Sequence, residues 1–499
     1  MQFSTCKLFF RGILLALAML AAVAAALSAQ VFQLSKAWEL GRDGEAHIVG
    51  KYGTELLILQ VQRGDKLALV ARSDSSLEEV WRRELDLKLE EAMGATSGAE
   101  FRFLLLPAAQ SWALVQARYE RARTNIVLQR FSLKGEKMGE ERQIFSCKDR
   151  HYLLRDYFTL SDDRTKLAFV MPMTLNELYA GVCDLVQDTT LWQVQQERKD
   201  WDLLRGYFAA TPSNAGHLYL CFNENSQRRK LQQHRVSVWQ YRDGDTMGVR
   251  RIELPLPDVY LQSLKTVYDE RNGQLILSGF ASSDDQTADG FLYMRCRFEQ
   301  DSTAPASPPV ISRVTFTQEY IRSATASRKR RVSGIPNLVA RQIILRQDGG
   351  CLLIGEQVAV KNYELNTNLF PTLQQPSAQQ ADYWVGNVVF AAFHPDGQLH
   401  WKNILHKHQH SENDYAQYSS FLLLRTPSAL RLLYNQDIYN GTPLYEYSLD
   451  ALGKEQRRLV DVRMDKQLLK FRKGLQTDAN EAFVFGEHLY KVYLVKIRY

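Results

Sequence analysis

After Leu27 the chain has no second long apolar run, so nothing beyond its first residues reads as a membrane-spanning helix. Long helical periodicity is nearly absent too, which argues against an α/β enzyme built on a parallel sheet. The common catalytic signatures are missing: no G-x-S-x-G, no H-E-x-x-H, no P-loop and no Rossmann fingerprint. The S-x-D-x-G-x-T-W box of sialidase propellers is missing as well. Cysteine is scarce. There are six, and Cys6 lies ahead of the apolar run. Cys147, Cys183, Cys221, Cys296 and Cys351 are widely spaced, with no C-x-x-C among them. Their odd number leaves at least one thiol unpaired within the chain. Stretches such as YLCF and LYMRCRF place cysteine as a small buried hydrophobe. The reading is of mostly free, buried thiols, because a domain of this length needs no disulfide to fold. Strong charge of one sign is also lacking. The formal net charge of +6 is too mild to argue for nucleic acid.

What is present begins with MQFSTCKLFFRGILLALAMLAAVAAALSAQ. Lys7 and Arg11 form a basic start, Ile13–Leu27 an apolar run, and Ala26-Leu27-Ser28-Ala29 a small-residue cleavage site. This is the anatomy of a secretory signal peptide over residues 1–29. The rival is a membrane anchor, but the run falls short of the about 20 residues that span a bilayer. Removing Lys7 and Arg11 lowers the formal charge from +6 to +4. The expectation is an exported protein with no membrane span after cleavage, its residues 30–499 forming one domain.

Arg346–Gln357 reads RQDGGCLLIGEQ, a polar turn followed by a short apolar run. DERNGQLILSGF at Asp269, LSDDRTKLAFVM at Leu160, SNAGHLYLCF at Ser213 and LQTDANEAFVFG at Leu475 repeat that form. KYGTELLILQ at Lys51 and TPSALRLLYN at Thr426 are weaker copies. Each reads as a β-hairpin. A second hairpin follows each, as in VVFAAFHPDGQLHWKNIL (Val388–Leu405). The unit is therefore four strands. Units begin near His47, Glu100, Tyr157, Tyr207, Ser263, Ala340, Ser419 and Leu468, about 50 residues apart, which is the period of a β-propeller. The last unit shows three strands, and VFQLSKAWEL near the N-terminus supplies a fourth, so both termini close the ring. The fold class is all-β: one propeller of eight four-stranded blades, with seven the alternative.

Two insertions interrupt the pattern, at about residues 300–338 and 357–382. The first holds a Pro/Ser linker (STAPASPP) and a predicted helix over Gln318–Arg331, with its cations in the last turn and Gly334 after its end. Both flank the unit of Arg346–Gln357, where long loops on a rigid scaffold would carry binding. His406, His408 and His410 alternate in HKHQH, and a strand would set all three imidazoles on one face as candidate metal ligands. The competing reading is a solvated strand end. The run Arg328–Arg331 reads as an exposed helix end or an anion-binding patch. Trp38, Trp81 and Trp401 read as packing between blades. Asp396-Gly397 with Trp401 matches the turn and docking tryptophan of quinoprotein propellers in one blade only. A carboxylate pair meeting across the channel from different blades would not show in sequence. Asn440-Gly441-Thr442 is an N-glycosylation sequon.

GIPNLVARQIILRQDGGCLLIGEQ and ADYWVGNVVFAAFHPDGQLHWKNILHKHQHSENDYAQYSSFLLL resemble a group of uncharacterised exported β-propeller proteins of the Bacteroidota. The resemblance covers most of Gln300–Tyr499 and weakens before it. In that group the segment after the tryptophan carries Pro, Lys or Arg, so HKHQH departs from the pattern. The resemblance implies a fold and a compartment and supplies no activity. Proteins of that phylum can be O-glycosylated at Asp-Ser/Thr sequons, here Thr189, Thr246 and Ser302. The C-terminal sorting domain of such organisms is not seen, which favours the periplasm over the outer surface. The expectation is a non-enzymatic binding or scaffold protein of the cell envelope, with an envelope protein or glycan as partner, no nucleic acid and no cofactor. The alternative is a carbohydrate-active hydrolase or lyase with a carboxylate site at the propeller channel.

Overall fold

The computed structural model describes residues 30–499 apart from 41–43, 63–65, 86–100, 121–122, 149–157, 173–176, 198–206, 225–233, 243–248, 299–306, 365–378, 415, 439–442, 461–467 and 489–490. The signal-peptide segment, Thr246, Ser302, most of STAPASPP and the sequon at Asn440 lie outside these residues, and the Cys147 side chain is not among those described.

One strand shows how the sequence folds. Leu56, Leu57, Ile58 and Leu59 are consecutive and all buried. Successive side chains of a strand point to opposite faces. Leu57 and Leu59 therefore pack against Leu105, Trp112 and Phe131 of the next sheet, while Leu56 and Ile58 pack against Phe483, Phe485 and Leu494 of the sheet on the other side. A strand buried on both faces must sit between two neighbours. Each such side chain contributes about 1.5–3 kcal/mol on burial.

Repeated around the chain, this gives eight antiparallel sheets, set at residues 45–85, 101–148, 158–197, 207–255, 260–315, 338–405, 422–459 and 468–498. These are blades 1 to 8. The blade starts fall within three residues of the starts read from the sequence. Eight buried apolar clusters fill the eight junctions, one per junction, including blade 8 against blade 1. The fold is an eight-bladed β-propeller, and the seven-bladed count is ruled out. Val31–Leu34 pairs antiparallel with Lys491–Arg498 as the outer strand of blade 8, so the termini close the ring as expected. Lys51, Asp74, Glu481 and Lys496 reinforce that junction. Each lysine reaches both carboxylates, at 2.5–3.4 Å.

Arg346–Gln357 is one hairpin among several. Arg346 N–H donates to the Gly350 carbonyl at 2.9 Å, and Gly349 takes φ 83°, a left-handed conformation that glycine adopts without strain. Gly216 holds the matching place in blade 4 at φ 87°, and Arg164 holds it in blade 3 at φ 59°.

The first insertion differs from its reading. The helix spans Gln318–Thr325, not Gln318–Arg331. Thr317 caps its start, and Ala326 in the left-handed region (φ 51°) ends it. The Gln318 side chain bonds both N–H and C=O of Val332, folding the following segment back along the helix. Arg328–Arg331 thus lie beyond the helix, exposed. Gly334 is not its cap. It approaches the Ala288 carbonyl where Thr287–Ala288 pairs with Ile335–Pro336, and a Cβ there would stand 2.4 Å from that oxygen. The second insertion carries a hairpin arm. Cys351–Glu364 and Gln379–Phe393 run on past the body of blade 6, and Gln409–Glu412 adds a third strand to the arm at Asp382–Val385.

Candidate functional site

In an up-and-down blade the second-to-third-strand turns and the blade-to-blade connections emerge on one face. The helix Gln318–Thr325 and the hairpin arm therefore rise from the same face and meet over blade 6. Between them lies a cleft of about 600 Å³. The helix end (Ser323–Ala326) forms one wall, and Gln357–Ala359, Trp384 and Gly386 form another. His406–His408 and Gln436 complete it.

The walls are locked by specific bonds. Tyr320, Ile321 and Ala324 bury one helix face in the core between blades 5 and 6. Asn387 Nδ2 donates to the Ala324 carbonyl at 2.6 Å, and Asn387 Oδ1 accepts from Lys407 N–H at 3.0 Å. One amide therefore ties helix, arm and connector together.

Beneath the cleft is a fully buried ion pair, Lys407 Nζ to Glu356 Oε1 at 2.8 Å. Arg341 reaches Glu356 Oε2 through Nε at 2.8 Å and Nη2 at 2.7 Å, and Ser420 Oγ donates to the same oxygen at 2.9 Å. Lys407 Nζ also donates to Gln409 Oε1 at 2.9 Å. Burial opposes ionisation of Glu356, but Lys407 and Arg341 outweigh it and hold the carboxyl below its usual range. Burial holds Lys407 below the usual lysine value, with Glu356 opposing and Arg341 assisting. Two cations share one carboxylate, so the carboxylate is the better-satisfied partner.

The three histidines do not share a strand. Blade 6 ends at Leu405, the arm's third strand begins at Gln409, and His406 and His408 lie exposed between them. His406 Nε2 stands 3.4 Å from Ser323 Oγ. Trp384 gathers the other two: its ring stacks on His410 at 4.0 Å and meets His408 at 5.6 Å. His410 instead joins Asp382 and Glu412, as described below. Trp384, Asn387 and the buried Glu356 escaped the sequence reading. Glu356 had left a signal, since alternation in CLLIGEQ sets it on the same face as the buried Leu352 and Ile354.

A second cavity, about 370 Å³, lies in the channel between the inner strands of blades 3, 4 and 5. Its lining includes Asp162, Glu270 and Lys265 among Phe158, Ala209 and Val267. Burial raises the Glu270 pKa above the usual carboxylate value, and Asp163, Asp162 and Asp269 raise it further against the hydrogen bond from Asn214 N–H. Asp163 moves the other way. Burial opposes its charge, but bonds from Ser161 and Thr165 hold it down. Across the ring, burial holds Arg425 of blade 7 below the usual arginine value, with Asp162 opposing.

Tryptophans serve the junctions as expected. Trp401 Nε1 donates to the Ala451 carbonyl in the turn of blade 7 at 3.1 Å. Lys134 of blade 2 stands 4.9 Å over the Trp81 ring, and Arg72 of blade 1 stands 3.9 Å over Trp38. Cys183, Cys221, Cys296 and Cys351 are free and buried. Thr189 is exposed at the start of a blade 3 strand. Among the described residues no helix is long and apolar enough to cross a membrane.

No protein-family model matches the chain, and no curated protein matches it in sequence. Solved propellers are similar in shape. The Dos1 propeller is 9% identical, with a TM-score of 0.44 over 93% of this chain and 95% of that one. A europium-containing methanol dehydrogenase is 10% identical, with a TM-score of 0.43 over 91% of this chain and 84% of that one. The propeller domain of the Trilobed protease from Pyrococcus furiosus is 9% identical, with a TM-score of 0.35 over 84% and 99%. A dehydrogenase, a protease domain and another propeller stand side by side, and at these values none lends this chain an activity. The propeller assignment rests on the strand pairing.

Proposed function

We propose that this chain is an exported, periplasmic binding protein of the cell envelope that holds a polar, glycan-like ligand in the cleft over blade 6. One observation carries the reading: the two insertions converge on a single cleft whose lining, among the described residues, contains no carboxylate. Amides of Asn337, Gln357, Asn387 and Gln436, imidazoles of His406 and His408, and the Trp384 ring line it instead. Amides and aromatic rings suit hydroxyl-rich ligands, while a glycosidase would need a carboxylate pair. An apolar docking face is not favoured, since Val360 is the one exposed large apolar side chain among the described residues of the insertions, at 51%. The resemblance to exported Bacteroidota propellers supports the compartment.

The test is binding of soluble envelope glycans to residues 30–499, read by saturation-transfer NMR. A Gln357→Ala/His406→Ala/Gln436→Ala triple variant should lose the signal while keeping its melting temperature. Equal binding by the parent and the triple variant, or no glycan binding by the parent, removes the reading.

The hydrolase or lyase alternative is favoured by a separate observation, the raised Glu270 beside Asp162 and Asp163 in the channel. Environments that push neighbouring carboxyl pKa values apart are those of a general acid and its partner. Glycan turnover abolished by Glu270→Gln but not by the cleft variant would favour it.

A further inference from the structure

We propose that Asp382, His410 and Glu412 form a zinc-type divalent cation site on the hairpin arm of blade 6. The ladder builds it. Asp382 is directly opposite Glu412, and Trp384 directly opposite His410. Residues two apart share a face of a strand, so all four side chains stand on one face. One donor atom from each of Asp382, His410 and Glu412 lies within 4.8 Å of the others. Asp382 Oδ2 and His410 Nε2 are 3.8 Å apart, with side-chain exposures of 16% and 24%.

Two features point to a ligand. First, one imidazole and two carboxylates, the donor types that zinc takes, converge from facing strands, with Asp382 and Glu412 directly opposed. The other register partner of Asp382 is Lys361, which is exposed. Second, the donors are held in place. Asn413 Oδ1 accepts from Ala381 N–H at 2.9 Å, and Asn413 N–H donates to the Ala381 carbonyl at 2.9 Å, pinning the two strands beside the site. The Trp384 ring, 23° from parallel, fixes the His410 imidazole. Donors on a tetrahedral zinc with bonds of about 2.0 Å stand about 3.3 Å apart. Rotation of the exposed Glu412 covers the difference. One imidazole and two carboxylates suit zinc better than calcium or magnesium, which prefer oxygen alone. Three protein donors leave a coordination position open.

The experiment uses residues 30–499 after dialysis against a chelator. Zinc chloride is titrated by calorimetry, with bound metal counted by mass spectrometry, and cobalt substitution supplies a visible spectrum. The parent should bind one zinc per chain. Asp382→Asn and His410→Gln should each bind about 10-fold more weakly or worse. His406→Gln, His408→Gln and Lys361→Met should bind as the parent does. A structural defect is separable: metal-free Asp382→Asn should melt with the metal-free parent, since the amide keeps the shape of the carboxylate. Parent-like zinc binding by Asp382→Asn and His410→Gln overturns the proposal. So does loss of binding in His406→Gln or His408→Gln, which would move the metal to the connector, or no stoichiometric zinc on the parent. None of these outcomes depends on the glycan reading.

Discussion

Glu356→Gln should be far more damaging than Lys407→Met, although the two residues form one ion pair. Both are fully buried. Removing the carboxylate charge leaves Lys407 and Arg341 facing each other without an anion. Breaking a buried pair from one side typically costs about 3–5 kcal/mol, and Glu356→Gln should lie in that range. Lys407→Met removes one of two cations and keeps Arg341 and Ser420 on Glu356 Oε2. Its cost is mainly one unsatisfied oxygen, Glu356 Oε1, and should be about 1–2 kcal/mol. Acidity gives a second signature. Lys407 is held below its ordinary 10.5, so the unfolded chain binds more protons in the window beneath that value, and stability rises with pH there. Without Glu356 the lysine pKa falls further. The Glu356→Gln deficit should therefore shrink as pH rises towards 10.5. Urea unfolding followed by tryptophan fluorescence and circular dichroism, accepted where the two coincide, measures all of this. Equal costs, the reverse order, or a deficit that grows with pH would refute the reasoning.

Other expectations are independent of that pair. Lys51 and Lys496 outweigh burial to hold Asp74 and Glu481 below their ordinary 3.8 and 4.5, so these carboxylates stabilise the ring above about pH 4.5 and lose that contribution as acid titrates them; the urea midpoint of the parent should fall below pH 4.5 more than that of a Lys496→Met variant. Arg164→Gly should stabilise the chain by about 0.5 kcal/mol, because φ 59° is strained for arginine and not for glycine; an unchanged or lower urea midpoint would count against it. Gly453→Ala should cost about 1–3 kcal/mol, since φ is 78° there and a Cβ would stand 2.4 Å from the Trp401 ring; melting curves check it. Burial pushes Cys183 up to about 11 and Cys296 and Cys351 up to about 12, so native-state alkylation at pH 8, mapped by peptide mass spectrometry, should spare them until urea unfolds the chain.

The architecture was legible because propeller strands declare themselves locally. Runs such as LLILQ at Leu56 and CLLIG at Cys351 are apolar on both faces, and each follows a short polar turn. The site was legible only in outline. The two insertions were visible, but not that Asn387 would bolt one to the other. Glu356, Lys407 and Arg341 come from three strands or connections of blade 6, and no spacing announces them. The histidines misled through their alternation, because the chain leaves the sheet at Leu405 and rejoins it at Gln409. The helix stopped early for a local reason, a side-chain clamp from Gln318 to Val332, which outweighed the pattern of cations and glycine downstream.

The pairing of Val31–Leu34 with Lys491–Arg498 also fixes a sequence of events. During synthesis Val31–Leu34 leaves the ribosome well before its partner, which follows more than four hundred residues later. Seven blades can gather before the eighth has its outer edge, and until then both open edges are exposed to other chains. A segment made before the blades is thus placed after them. A stop codon just short of Lys491 would remove one strand and orphan another more than four hundred residues away.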